Sequence, residues 1–198
     1  QMPDRVLNWS LLGPQNYRLD DSQTVDTGGV SATVGFEEQG PAAGGFYIQE
    51  PIYTAPGEGF DGLSALKLYG RYDGEGKQDT STTTVDFGSA SSDFGDEVAN
   101  VAFRISDIDT GAQADRGGSP GEHLDVVTVR AYDAAGQEVP VTFTPGAGVQ
   151  QSGNTLTGSG ENLSPNEAAG SALVEVAGPV SRIEIDYDNG ADSGGDIS

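Results

Sequence analysis

No window of about eleven residues keeps apolar side chains at i, i+3, i+4 and i+7 without a Gly or Pro breaking it. An amphipathic helix needs that periodicity to present one face to a core, so strands must carry this fold. Thirty glycines and ten prolines cut the 198 residues into short β-branched or aromatic runs. Val6 to Leu12, Gly29 to Phe36, Phe46 to Glu50, Ala65 to Tyr72 and Thr82 to Phe87 read as strands in the first half.

Alternation is clearer in the second half. Val101, Phe103 and Ile105 alternate with Ala102, Arg104 and Ser106, and Val127, Val129 and Ala131 with Thr128, Arg130 and Tyr132. Residues i and i+2 share a face, so each trio is a core stripe. Asp133-Ala-Ala-Gly136 turns the second of these into Val139 to Phe143 as a hairpin. Leu173, Val174 and Val176 follow, then the turn Ala177-Gly178-Pro179, then Ile183, Ile185 and Tyr187 alternating with Arg182, Glu184 and Asp186. The expected core holds Phe103, Ile105, Val127, Val129, Val174, Val176, Ile183 and Ile185, and Arg104→Ala is expected to cost little. Gln113 to Glu122 and Val149 to Ala169 read as long polar loops. Short strands at regular spacing, one face wet, predict an all-β fold: an antiparallel two-sheet β-sandwich, jelly-roll-like. No repeat of fixed period divides the chain, so residues 1–198 read as one domain.

Charge narrows the function. Thirty-one acidic residues against nine basic ones give a net charge of -22, and the lysines are Lys67 and Lys77. Phosphate recognition needs a basic footprint, so nucleic acid and anionic membrane are excluded as partners. No apolar stretch nears the ~18 residues of a membrane span. Without Cys there is no disulfide framework, thiolate zinc site or cysteine nucleophile, and the single His, His123, limits imidazole chemistry to one residue. A surface rich in Asp, Thr, Ser and Gly and poor in Lys suits a saline exterior containing calcium, so the expected location is extracellular or at the cell surface. Gln1 is not an initiator residue, and Asp196-Ile197-Ser198 reads as a strand cut short, too brief to fill a sheet edge. Both features predict a segment of a longer polypeptide, or self-assembly through an open sheet edge.

Calcium takes six to eight hard oxygens, which paired Asp side chains on strand exits can supply. Asp107 and Asp109, with Asp115 beyond, form one such group; Asp186, Asp188, Asn189 and Asp192 form a second. Neither has EF-hand spacing. Gly57-Glu58-Gly59-Phe60-Asp61-Gly62 matches the dinucleotide pattern in letters, but its acids would repel a pyrophosphate, and a glycine-rich loop is the better reading. His123 sits beside Glu122 and Asp125 and reads first as a surface-loop residue, second as a ligand-binding group. No GxSxG or HExxH occurs, and acids in such number give a glycosidase pair no specificity. Tyr69 and Tyr72 have opposite parity in one run, so one faces outward and is a candidate sugar platform. Asn8-Trp9-Ser10 and Asn162-Leu163-Ser164 fit the glycosylation sequon.

Three blocks carry a resemblance: Val101-Ala-Phe-Arg-Ile-Ser-Asp-Ile-Asp109, Asp125-Val-Val-Thr-Val-Arg-Ala-Tyr-Asp133, and Gly178-Pro-Val-Ser-Arg-Ile-Glu-Ile-Asp-Tyr187. In this order they resemble β-sandwich modules of large bacterial calcium-dependent surface and secreted proteins, the RTX-associated adhesins. The RTX nonapeptide itself does not occur. The resemblance implies a non-catalytic module for adhesion or carbohydrate binding, with calcium as cofactor and a glycan or cell-surface polymer as partner. A structural subunit of a filament, surface layer or virion appendage is the alternative, and a polysaccharide-degrading enzyme the second.

Overall fold

The computed structural model describes residues 5–19, 22–40, 43–70, 80–113, 121–159, 161–190 and 195–198. Among them the strands are β1 (Ser22–Asp26), β2 (Val30–Gln39), β3 (Gly44–Ile48), β4 (Ala65–Gly70), β5 (Thr80–Ser89), β6 (Val101–Ile105), β7 (Thr110–Gln113), β8 (Gly121–Tyr132), β9 (Glu138–Val139), β10 (Thr142–Pro145), β11 (Val149–Ser152), β12 (Thr155–Gly158), β13 (Ala172–Val176), β14 (Arg182–Asn189) and β15 (Gly195–Ile197). All named pairings are antiparallel. The fold is an antiparallel β-sandwich, as the alternation predicts.

The first layer runs β1-β2-β5-β14-β8-β12-β11, with β7 and β9 also on β8. β14 lies between β5 and β8, so a late strand is central to this sheet and ties the two halves of the chain together. The second layer comprises β10-β13-β6 and β15-β4-β3. These two pieces meet where Ser106 and Ser198 exchange backbone N–H···O bonds of 2.5 and 2.9 Å. The expectation that the final residues leave an edge vacant is therefore corrected: β15 pairs with β4 on one side and reaches Ser106 on the other, and Ile197 is buried. A three-residue strand holds its place because it is bonded from both sides. The outer edge of β3 is covered in turn by Tyr17 and Leu19 backbone bonds to Tyr47 and Gly45.

One core joins the layers, from Leu12 to Ile197. Ile105, Val127, Val129, Val174, Val176 and Ile183 are fully buried, while Phe103 and Ile185 are half-buried against the same cluster. The parity of the second-half strands is thus as expected, and Leu173, one residue out of step with Val174 and Val176, faces the other way.

Four local readings change. Val6 to Leu12 is not a strand: Trp9–Leu12 form a 3-10 helix whose first turn is capped by the Asn8 side chain, which accepts from the Ser10 amide. β1, rich in Gln, Ser and Asp, escapes the sequence pattern because one face is open to solvent. Val139 to Phe143 is not one strand, since the chain leaves β8 after β9 and enters the other layer as β10; Pro140 at the break has no amide to give a ladder. Val149 to Ala169 is not wholly loop, for β11 and β12 form a hairpin around Gly153-Asn154. Gly153 has φ +59°, the left-handed conformation that such a two-residue turn demands.

Arg104 also differs from expectation. On β6 it points away from the core but is not idle: its guanidinium forks onto both Glu58 oxygens at 2.6 Å, donates to Ser171 Oγ at 3.1 Å and stacks 4.9 Å from the Tyr53 ring. Glu58 also accepts the Ala55 amide at 2.9 Å. This explains the glycine-rich stretch around Glu58 as a loop closed on Arg104. Gly57 and Gly59 take φ +85° and +75° to let it turn.

Ile105→Ala is expected to cost about 2–5 kcal/mol by leaving a cavity. Arg104→Ala is expected to cost about 1.5–3 kcal/mol, since it strands a charged hydrogen-bond partner. The Arg104 fork holds the Glu58 carboxyl below the usual glutamate range. A lowered acid stabilises the fold above its unfolded pKa and loses that contribution as pH falls through the folded value. Urea unfolding of wild type and Arg104→Ala at pH 7 and at pH 3 should therefore show the gap between them narrowing in acid.

Candidate functional site

After β6 the chain crosses from the second layer to the first through Ser106, Asp107, Ile108 and Asp109. The crossing is tight. Asp107 takes φ +63°, which Asp tolerates better than most residues, and Ile108 is fully buried with its amide on Gly170 O at 2.9 Å. Asp109 then meets β8 at Asp125 with two reciprocal bonds: the Asp125 amide donates to Asp109 O at 3.0 Å, and the Asp109 amide donates to Asp125 Oδ2 at 3.0 Å.

The side chains converge here. Asp109 Oδ1 accepts from His123 Nε2, and its Oδ2 accepts the Leu163 amide at 2.6 Å. Asp125 Oδ1 accepts the Tyr187 hydroxyl at 2.7 Å. Thr110 Oγ1 donates to His123 O, and Asn189, opposite Asp125 on β14, accepts the Leu124 amide at 3.1 Å. Relative exposures are 3% for Asp109, 4% for His123 and 0% for Asp125. Burial pushes the Asp125 carboxyl well above the usual carboxylate range; the Tyr187 hydroxyl and Asp109 amide oppose that rise, and the Asp109 carboxylate adds to it.

One ligand atom from each of Asp109, His123 and Asp125 lies within 4.8 Å of the others. These three could hold a cation or share a proton. Their burial leaves no room for a polysaccharide to approach them.

Sequence reasoning placed these residues only in part. His123 is corrected from surface loop to buried strand residue, because β8 begins before it and its parity points inward with Asp125. That burial also removes it from any surface sugar platform. Asp125 was missed as a site residue; the signal available was the His-x-Asp spacing at the head of a strong core stripe. Asp109 joins this cluster, while Asp107 is buried in the crossing before it. Asp186 and Asp188 lie on the other face of β14 from Tyr187 and Asn189, so the second acidic group is split by strand parity. Asp186 Oδ1 accepts from Thr82 Oγ1 at 2.7 Å. Asp188 Oδ1 is buried without a hydrogen-bond partner among the described residues, and burial raises the Asp188 carboxyl. Asp115, Asp192 and Tyr72 lie outside the described residues.

Tyr69 shares the outward face of β4 with Lys67. Its ring meets Phe46 edge-on at 6.0 Å, and its hydroxyl lies over Gly44, where a Cβ would come within 2.4 Å of it. Lys67 pairs with Glu50 at 3.7 Å.

No family model matches the sequence, and no curated protein matches it. Among solved structures, the adhesin domain of PrgB from Enterococcus faecalis is similar at 15% identity and a TM-score of 0.44, over 82% of this chain and 53% of that one. The chain thus spans about half the length of that structure.

The crossing generates a direct test. A Cβ at Gly158 would lie 2.1 Å from Asp109 O, so Gly158→Ala must push Asp109 off β8. The expected loss exceeds the ~1 kcal/mol scale of an ordinary point substitution. Gly95→Ala, with nothing within 4 Å of its new Cβ, should leave the melting temperature nearly unchanged.

Proposed function

We propose that the chain is a non-catalytic, extracellular β-sandwich module for adhesion or carbohydrate contact, with calcium held at Asp186 and Asp188 near the end of β14. The observation that carries the contact surface is the outward pair Phe46 and Tyr69 on β3 and β4, beside the Lys67–Glu50 ion pair. A pyranose has an apolar face and a rim of hydroxyls; an aromatic pair flanked by charged hydrogen-bonding groups offers both kinds of contact. The net charge of -22 adds a reason for a divalent partner, since self-repulsion opposes the compact state. Asp188 supports calcium there: its buried Oδ1 lacks a donor among the described residues, and Asp186 shares its face.

The buried cluster supports the non-catalytic part. All four oxygens of Asp109 and Asp125 accept from groups of the chain itself, which suits a clasp better than a pair awaiting substrate.

A glycan array with wild type and Tyr69→Ala, each with calcium and with a calcium-selective chelator, tests the reading. Wild type should bind a limited set of glycans, and Tyr69→Ala should lose them while melting normally. Calcium at 100 times its Kd should add about 2.7 kcal/mol of stability. That gain should vanish in Asp188→Asn. Polysaccharide turnover by the purified chain, or equal binding by Tyr69→Ala, would contradict the proposal; a molar mass rising with concentration and no glycan bound would favour an assembling subunit.

A further inference from the structure

The cluster of Asp109, His123 and Asp125 has a charge problem that the described protein groups do not solve. Two carboxyl groups sit in the interior with one imidazole, and neither has an Arg or Lys partner among the described residues. Even with a protonated imidazole, two ionised carboxylates leave one negative charge uncompensated. Burying such a charge carries a large desolvation penalty unless a counter-charge joins it. Elsewhere the same chain gives two partly buried carboxylates a guanidinium, Glu58 with Arg104 and Asp86 with Arg182.

We propose that Asp109, His123 and Asp125 form a buried site for one divalent transition-metal ion of the zinc class, which fastens the crossing between the layers to β8. The donor set is one imidazole nitrogen with carboxylate oxygens, which suits zinc and its neighbours and not calcium, whose shell is oxygen throughout. The three ligand atoms lie within 4.8 Å of one another, and they would draw closer around an ion whose bonds are about 2.0–2.2 Å. The positions are fixed before any ion arrives. His123 and Asp125 are two apart on β8 and share its inner face, while the Asp125 amide bond to Asp109 O and the Asp109 amide bond to Asp125 Oδ2 hold the third ligand beside them.

Outer partners orient the ligands as they do in structural metal sites. Tyr187 donates to Asp125, and the Leu163 amide donates to Asp109 Oδ2, leaving Oδ1 turned toward His123. Binding would exchange the His123 to Asp109 hydrogen bond for two bonds to the ion. This site is separate from the calcium site proposed above, because Asp186 and Asp188 lie on the face of β14 opposite to Tyr187 and Asn189, and it does not depend on what the module contacts.

The full chain, stripped with EDTA and dialysed, is titrated with zinc, manganese, calcium and magnesium chlorides by calorimetry and by thermal melting. One zinc per chain should bind, manganese more weakly, and calcium and magnesium not at this site. Zinc should raise the melting temperature of wild type and of Asp188→Asn alike, and should fail to do so in His123→Ala and Asp125→Asn. Should those variants not fold, cobalt(II) added to stripped wild type gives a second readout: visible d–d bands of a low-coordinate nitrogen and oxygen site, removed by zinc. Zinc that leaves melting unchanged and cobalt that stays spectroscopically hexaaqua would overturn the proposal. So would zinc binding that persists in folded His123→Ala and Asp125→Asn.

Discussion

The exchange of bonds between Asp109 and Asp125 is the contact on which the rest of the sandwich depends. It sits where the chain passes from one layer to the other, and it converts a buried crossing, whose backbone groups would otherwise lack partners, into an extension of the β8 ladder. Its geometry propagates outward. Gly158 must be glycine for β12 to pass the Asp109 carbonyl, and Leu163 must present its amide to Asp109 for the following loop to close. Tyr187 can be buried as a phenol because Asp125 accepts its hydrogen bond, and Asn189 beside it holds Leu124.

The layers are then closed by short elements whose sequences look too weak for the task. β15 has three residues, yet it lies between β4 and Ser106 and brings Ile197 into the core. β9 has two, and it serves to start the chain toward the opposite layer. On the outside of β6, Arg104 holds the Glu58 loop against Ser171, so a residue facing away from the core still fixes the packing of two connections.

Alternation made the second half legible. Val127, Val129 and Ala131, or Ile183 and Tyr187, have the parity their spacing implies, because a period of two admits one inward face. Where the pattern was polar the sequence was silent: β1 has no apolar stripe, and the β11 and β12 hairpin was hidden in a run of Gln, Ser, Gly and Thr despite its Gly-Asn turn. The cluster was half legible. Acid spacing marked Asp109, but parity separates Asp186 and Asp188 from Asn189, a distinction that proximity in sequence conceals. His123 was misplaced because Glu122 and Gly121 give β8 a polar beginning, and nothing local reveals that Asp109 returns from 14 residues away to meet it.

If this clasp holds the crossing in place, its backbone amides should open only when the whole domain opens. Native-state hydrogen exchange reads this directly. The amides of Asp109, Asp125 and, above all, Leu163, which belongs to no strand, should exchange with the same free energy as Val127 and Val129 in the core. Exchange of Asp109 and Leu163 as rapid as that of the exposed hairpin tip at Gly153, while Val127 and Val129 stay protected, would contradict the account.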